Sequence, residues 1–365
     1  VKRLTRLLKY ARDLKGPVLL HVRTVKGKGY TPAERNPDQF HGVGRFCVET
    51  GEVLKGGGTN FSAVFGQALC KMAEEDPRLC AITAAMQGGT GLNGFANRFP
   101  DRFFDVGIAE GHAVAMSAGM AKQGMLPVFA VYSTFLQRSY DMLIHDVALQ
   151  GLHVVFAIDR AGLVGEDGET HHGLFDPAFL DTVPGMTVLC PSSYAELEAM
   201  LRHAVYEVKG PVAVRYPRGS QEDYQADSGQ VKTAVLRTGK DITLTGYGII
   251  INALLDCAQR LEADGIQAEV LKLNTITPLD TAPVAASAAE TGRLLVAEEA
   301  AQNCCVGQRL AAGLLERGVA AKVAMVNTGP GFVTHGPVAK LRALCGLDGE
   351  SLYHKALEVC GHGNR

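Results

Sequence analysis

The sequence predicts an α/β protein: two parallel-sheet α/β domains preceded by the tail of a third. Three observations predict it. From residue 61 onward, strand-length apolar runs rich in β-branched residues alternate with longer amphipathic runs, the pattern of a parallel sheet covered on both faces. The alternation is interrupted once, by the polar, glycine-bearing stretch PRGSQEDYQADSGQ at 217–230, and then resumes. A length of 365 residues with 47% hydrophobic content is enough for two cores of ordinary size.

The elements follow in order. Residues 1–46 begin with a helix-like run and a single strand expected at 18–22; a lone helix and strand cannot bury a face of their own, so this stretch reads as the tail of an N-terminal domain. Residues 47–60 contain GEVLKGGGTN, whose glycines at 56–58 mark a linker. A first complete domain is expected over 61–219, with strands at 79–83, 103–106, 128–132, 153–158, 187–190 and 212–216. A second linker covers 220–236. A smaller domain follows over 237–365, with strands near 242–245, 268–273, 294–297 and 322–326.

Composition excludes several functions. A net charge of −2 gives no electrostatic reason to expect nucleic acid or an anionic membrane as partner. No apolar run reaches the roughly 18 residues that a membrane span needs, and the first residues lack the apolar core of a signal peptide, so the chain reads as cytoplasmic. Nine cysteines stand without a C-x-x-C spacing, and those in apolar surroundings, such as Cys70 and Cys190, read as buried thiols rather than a disulfide frame or zinc site.

In open α/β sheets ligands bind beyond the carboxyl ends of the strands, and the notable polar residues of the first domain fall there. Glu110, in DVGIAEGHAV at 105–114, is an isolated acid among apolar and glycine neighbours, at the head of a helix-like stretch. A buried acid of this kind suits proton exchange with a neutral ring nitrogen. Tyr132 ends the third strand. In VYSTFLQRSYD at 131–141, Ser133 or Thr134 is a candidate cap for the next helix, leaving Phe135 in its first turn, either to stack on a flat heterocycle or to pack in the core with Met142 and Leu143. The loop AIDRAGLVGEDGETHHG at 157–173 is long for an α/β connection and so reads as functional. His171 and His172 are adjacent on it, which points them opposite ways and leaves no second pair at metal-ligand spacing. Polar recognition fits better, with Asp167 and His171 at hydroxyls and Arg160, together with Arg218 of VAVRYPRG, at a phosphate. Near the start, TVKGKGYTPAERNPDQFHGV at 24–43 alternates glycine with Lys26 and Lys28 and adds Tyr30 and His41, a weak anion-binding pattern.

Taken together, KGKGY, Phe40–His41, ITAAM at 82–86, FPDRFFDVGIAEGHAV, YSTFLQRSYD, DRAGLVGEDGETHHG and VRYPRG resemble the 1-deoxy-D-xylulose-5-phosphate synthase family, thiamine-diphosphate enzymes of the transketolase superfamily. The similarity runs over nearly the whole chain and is densest from Ile82 to Gly219. It implies a pyrimidine-binding domain followed by a C-terminal transketolase-like domain. It also implies condensation of pyruvate with D-glyceraldehyde 3-phosphate, with loss of carbon dioxide, at the entry to non-mevalonate isoprenoid, thiamine and pyridoxal synthesis. By the resemblance, thiamine diphosphate and Mg2+ are the cofactors and a homodimer the assembly. Glu110 falls at the pyrimidine nitrogen, Phe135 against the pyrimidine face, Met86 and Ile108 around the cofactor, and Lys26 and Tyr30 on a loop closing over it. Tyr132, Arg160, Asp167, His171 and Arg218 form the pocket for the phosphorylated aldehyde, and His41 lies near the reacting carbon as a proton-transfer candidate. Departures are also present. The family builds its diphosphate and magnesium site on a G-D-G segment, and none occurs here, so no metal ligand is expected in this chain and that site is expected in an N-terminal domain outside it. Gly111 stands where many members have glutamine, with an expected effect on the pocket lining but not on function, and Asn303-Cys304-Cys305 and residues 329–332 vary turns common in the family, with expected effects on packing or dimerisation.

Overall fold

The computed structural model describes residues 1–37, 39–41, 43–54, 58–225 and 232–362. Two glycines of the first expected linker and part of the second, residues 226–231, lie outside the described residues. The chain divides into two units, Val1–Gly58 and Thr59–Arg365.

In the first unit, a helix Lys2–Asp13 buries none of its residues. The strand expected at 18–22 does not form: this stretch carries no regular structure among the described residues. An isolated strand has nothing to receive its backbone N–H and C=O groups, and the unit offers no ladder partner there. Its order comes instead from aromatic packing, in which Tyr30, Phe40 and Phe46 meet with centroids 5.3–6.0 Å apart. The Tyr30 hydroxyl donates to the Val48 carbonyl at 2.8 Å.

The second unit contains both α/β sheets. Its strands are β1 Leu79–Thr83, β2 Phe103–Asp105, β3 Leu126–Tyr132, β4 Val155–Asp159, β5 Thr187–Leu189, β6 Val212–Arg215, β7 Thr233–Arg237, β8 Ile242–Gly246, β9 Ala268–Leu273, β10 Thr275–Thr277, β11 Arg293–Ala297 and β12 Lys322–Val326. They form one sheet in the order β10-β5-β6-β4-β3-β1-β2 and another in the order β12-β11-β8-β9-β7. All neighbours are parallel except two edge pairs, β10 with β5 and β7 with β9. The all-parallel expectation is therefore corrected at one edge of each sheet. The β10 pairing is also a join between domains: the chain leaves the second sheet at Leu273 and two residues later adds a strand to the first.

The period of two in the first sheet's strands feeds both faces. Phe129, Val131, Phe156 and Ile158 enter one core, while Val128, Ala130, Val155 and Ala157 enter the other. The first of these cores continues into Leu271, Leu294, Val296 and Val306 of the second sheet and its helix, so the two domains share apolar contacts rather than meeting across a polar seam. Two helices of the first sheet's domain are capped by the polar residue preceding them: Asn60 accepts from the Ala63 N–H, and Ser193 from the Glu196 N–H. No helix among the described residues is long and apolar enough to cross a membrane.

The order of the first sheet places its crevice. From β1 the chain steps outward to the edge strand β2 and then returns past β1 to β3, reversing direction. At such a reversal the loops leave the carboxyl ends on opposite sides and open a groove. The ends of β1, β2, β3, β4 and β6 carry the residues singled out above.

Candidate active site

Asp105, the last residue of β2, fixes the floor of the crevice. Its Oδ1 accepts the Ala85 N–H at 2.8 Å and the Gly107 N–H at 2.9 Å, tying the loop after β1 to the loop after β2. Ala85 is held in left-handed backbone, φ 58°, and Gly107 at φ 71°. Three residues after Gly107 the chain enters the helix Glu110–Lys122, with Glu110 in its first turn, where the helix dipole favours a negative charge.

Glu110 is only 5% exposed. Its Oε1 accepts a hydrogen bond from Arg138 Nη1 at 2.9 Å. The same guanidinium lies 5.2 Å from the centroid of Phe135. Phe135 stacks on Tyr132 at 5.9 Å and meets the His171 ring edge-on at 5.4 Å. A hydrogen bond of 2.9 Å between Thr170 Oγ1 and Nδ1 orients His171. Of the two readings open for Phe135, packing in the core is met in part: it is half-buried against the core that holds Leu143, with Met142 packed against the same core, and its remaining surface borders the crevice.

The other end of the crevice is cationic. Arg160, in left-handed backbone at φ 61°, lays its guanidinium 3.7 Å from the Tyr132 centroid. Its Nη1 donates to the Gly89 carbonyl at 2.9 Å and to Asp159 Oδ1 at 3.2 Å. A Cβ on Gly89 would overlap the Tyr132 hydroxyl, so this close approach requires glycine. Arg160 Nε has no hydrogen-bond partner among the described residues. Asp167 Oδ2 lies 3.9 Å from that Nε and 2.9 Å from Arg218 Nη1, so one carboxylate balances two arginines. Arg218 also donates to the Val164 carbonyl at 3.1 Å.

Beneath them Asp159 is fully buried. Burial pushes its carboxyl up to about 6, against the opposing pull of Arg160 and of a 2.6 Å hydrogen bond from Ser62 Oγ. Burial likewise raises the Tyr132 and Tyr216 hydroxyls, and the Tyr216 hydroxyl has no hydrogen-bond partner among the described residues.

The loop bearing Asp167 and His171 is held from beneath and from the second domain. Its second histidine, His172, points inward. His172 Nδ1 accepts from the Val164 N–H at 3.1 Å, which leaves Nε2 as the protonated nitrogen, donating to the Thr334 carbonyl at 3.0 Å. Glu299 Oε2 accepts the Leu163 N–H at 3.0 Å, and Arg215 donates to the Gly173 carbonyl. No group of three or more His, Cys, Asp or Glu among the described residues is arranged to hold a metal.

The structure thus brings Glu110, Phe135, Tyr132, His171, Arg160, Asp167 and Arg218 into one strip. Met86, 7% exposed, packs in the core that also contacts Tyr132 and Phe135. Ile108 is 79% exposed and does not join them. Lys26, Tyr30 and His41 belong to the Val1–Gly58 unit, where Lys26 is exposed and Tyr30 is engaged in the aromatic cluster. Sequence reasoning missed Arg138, Asp105 and Asp159. Arg138 was findable, since it follows Phe135 by three residues, a helical spacing that puts two side chains on one face.

Two family models match the chain: the transketolase pyrimidine binding domain over residues 58–222 and the transketolase C-terminal domain over residues 231–352. The chain belongs to the transketolase family. Within that family, its similar sequences include the 1-deoxy-D-xylulose-5-phosphate synthases of Heliobacterium modesticaldum, 46% identical over 98% of this chain and 56% of that protein, and of Chlorobaculum tepidum, 46% identical over 98% and 58%. One such synthase of Geobacter sulfurreducens is 46% identical over 93% of the chain and 54% of its own length. The transketolase-type chain therefore corresponds to part of these synthases, spanning about half their length. Among solved structures, a split-gene transketolase described as an inactive beta4 tetramer superposes with a TM-score of 0.74 at 26% identity, covering 84% of this chain and all of that one.

Proposed function

We propose that the chain is the ring- and aldehyde-recognising part of a 1-deoxy-D-xylulose-5-phosphate synthase, which condenses pyruvate with D-glyceraldehyde 3-phosphate and releases carbon dioxide. The observation that carries this reading is the buried Glu110 carboxylate, linked through Arg138 to the face of Phe135, at one end of a crevice whose other end carries Arg160, Asp167 and Arg218.

The residues fit thiamine diphosphate at its pyrimidine. Glu110 would hold a ring nitrogen, Phe135 a ring face, and Met86 the apolar margin, with Ile108 reaching it only if its loop moves. When bound, the cofactor supplies a nucleophilic carbon for the decarboxylation and the new carbon–carbon bond. The chain's own residues hold and orient. Arg160 and Arg218 take the phosphate of the aldehyde, His171 and Asp167 its hydroxyls, and Tyr132 lines the path between the two ends. His171, and His41 of the first unit, are the candidates to move a proton. We assign the diphosphate and Mg2+ to the portion of the relatives that this chain does not span, because the G-D-G segment on which the family builds that site does not occur in this sequence. The division into pyrimidine-binding and C-terminal domains at 61–219 and 237–365, a homodimeric assembly and a cytoplasmic setting complete the reading.

The test is reconstitution. Combined with the remaining N-terminal portion of the Heliobacterium synthase, the chain should release carbon dioxide from pyruvate when the aldehyde phosphate is added. By itself it should bind thiamine diphosphate and magnesium weakly. Tight magnesium-dependent binding by the chain alone overturns the assignment of the metal end, and a reconstituted mixture without turnover overturns the activity.

The split-gene neighbour favours a second reading, a stand-alone beta-type subunit of another thiamine-diphosphate enzyme that works with a separate metal-binding chain. The synthase sequences match 98% of this chain, against 84% for that structure, which is why the first reading is preferred. Co-purification with a second polypeptide carrying a G-D-G segment would reverse the preference.

A further inference from the structure

One guanidinium touches both groups that the proposed ring needs. Arg138 donates to Glu110 Oε1 at 2.9 Å and lies 5.2 Å from the Phe135 centroid, within range of a cation–π contact. It is planar, cationic and rich in donors, as a protonated aminopyrimidine is. It is also the exposed member of the group, 54% exposed against 5% for Glu110.

We infer that Arg138 is a displaceable placeholder for the heterocycle: it partners Glu110 and covers Phe135 until a ring arrives, and the ring must remove it to bind. The inference rests on the function proposed above and adds a residue that sets how readily that site fills. Its physical basis is the cost of a sequestered carboxylate. An ionised acid at 5% exposure needs a partner, and leaving it alone is strongly unfavourable. Arginine on a flexible stem at the solvent side can supply that partner and then withdraw into water at little cost, because its own charge was never fully desolvated. A flat ring stacked on Phe135 with a nitrogen at Glu110 makes the same two contacts, so ring and guanidinium exclude each other. Arg138 is not itself a ligand to the ring. It is a positioning residue that acts through Glu110 and Phe135.

Competition of this kind divides the affinity for the ring by the fraction of molecules in which Arg138 has moved aside. The experiment compares the wild-type chain, Arg138→Ala and Arg138→Lys by thermal unfolding and by calorimetric titration. The probe is 4-amino-5-hydroxymethyl-2-methylpyrimidine, chosen because it carries no diphosphate and so does not need the metal end. The placeholder predicts opposite signs for Arg138→Ala. The chain should unfold at a lower temperature without ligand, because Glu110 loses its partner, yet should bind the pyrimidine roughly tenfold more tightly. Arg138→Lys keeps the charge and should recover most of the unfolding temperature. Equal or weaker pyrimidine binding by Arg138→Ala, with measurable binding by the wild type, overturns the placeholder and leaves ring recognition standing. Failure of all three proteins to bind the pyrimidine overturns ring recognition and the placeholder with it.

Discussion

The two sheets of this chain share an architecture and differ in what their strand ends do. In the second sheet the acids after β11 are saturated. Glu298 accepts the Tyr247 hydroxyl and the N–H groups of Val306 and Gly307 at 2.8–3.1 Å, capping the helix Val306–Glu316. Glu299 accepts the Leu163 N–H and pairs with Arg342. In the first sheet the equivalent positions hold capacity in reserve. Glu110 has its ion pair with a largely exposed arginine, Arg160 Nε and the Tyr216 hydroxyl lack hydrogen-bond partners among the described residues, and Arg218 is 37% exposed. Saturated strand ends hold a fold together, whereas unsaturated ones are available to a ligand.

The strongest way to break this contrast is to delete one acid from each sheet. In the reconstituted enzyme, Glu110→Ala should lower turnover by about a thousandfold, in the range expected for loss of a proton-transferring group, while moving stability by no more than about 1 kcal/mol because Arg138 falls back into solvent. Glu298→Ala should do the reverse. It leaves two helix N–H groups and a buried tyrosine hydroxyl without an acceptor, a loss of about 3–5 kcal/mol, or about 10 °C in Tm. Steady-state kinetics and thermal unfolding of the two variants decide the matter. A large stability loss from Glu110→Ala would place it among the structural acids.

A smaller effect sharpens the picture at β4. Asp159 has a folded pKa near 6, above its ordinary value of 3.8. A raised carboxylate binds its proton more tightly in the folded state, so its contribution to stability is greatest below about pH 4 and is lost as pH rises through 6. Above that, the buried charge costs about 3 kcal/mol. Asp159→Asn should therefore match the wild type near pH 4, exceed it in unfolding free energy at pH 8, and flatten the profile between. A variant less stable than wild type at pH 8 would show that pairing with Arg160 outweighs burial.

How much of this was legible in the sequence follows from the same physics. The central strands were visible because burial on both faces demands apolar runs, and β1 and β9 fall at the expected residues, as does the edge strand β12, whose run Lys322–Val326 is apolar after its first residue. The edge strands β7 and β10 were not. Thr275-Ile276-Thr277 is too short and too polar to show a period, and its pairing depends on where the first sheet's edge happens to lie. The strand expected at 18–22 had the composition but no ladder partner. At the site, Glu110 and Phe135 stood out because an acid and an aromatic interrupt apolar surroundings. Asp159 was hidden because it acts through a neighbour, reading as an ordinary surface charge until the fold brings it under Arg160, whereas Arg138 left one trace, its helical spacing from Phe135.

The least effect is expected at Gly111. A Cβ there would meet the Met142 methyl at 2.8 Å, and no backbone atom lies as close. Methionine is the most adaptable of the apolar side chains, and the crowding atom is its far end, so Met142 can turn aside. Gly111 also lies inside the helix Glu110–Lys122, where alanine is favoured over glycine by about 1 kcal/mol. The two terms oppose each other. Gly111→Ala should change unfolding free energy by less than about 1 kcal/mol, and the sign reports which term is larger. Gly111→Ala combined with Met142→Ala separates them. If the double variant recovers helix stability that the single one lacks, the crowding is real, and the glycine is there to make room for Met142 beside Glu110.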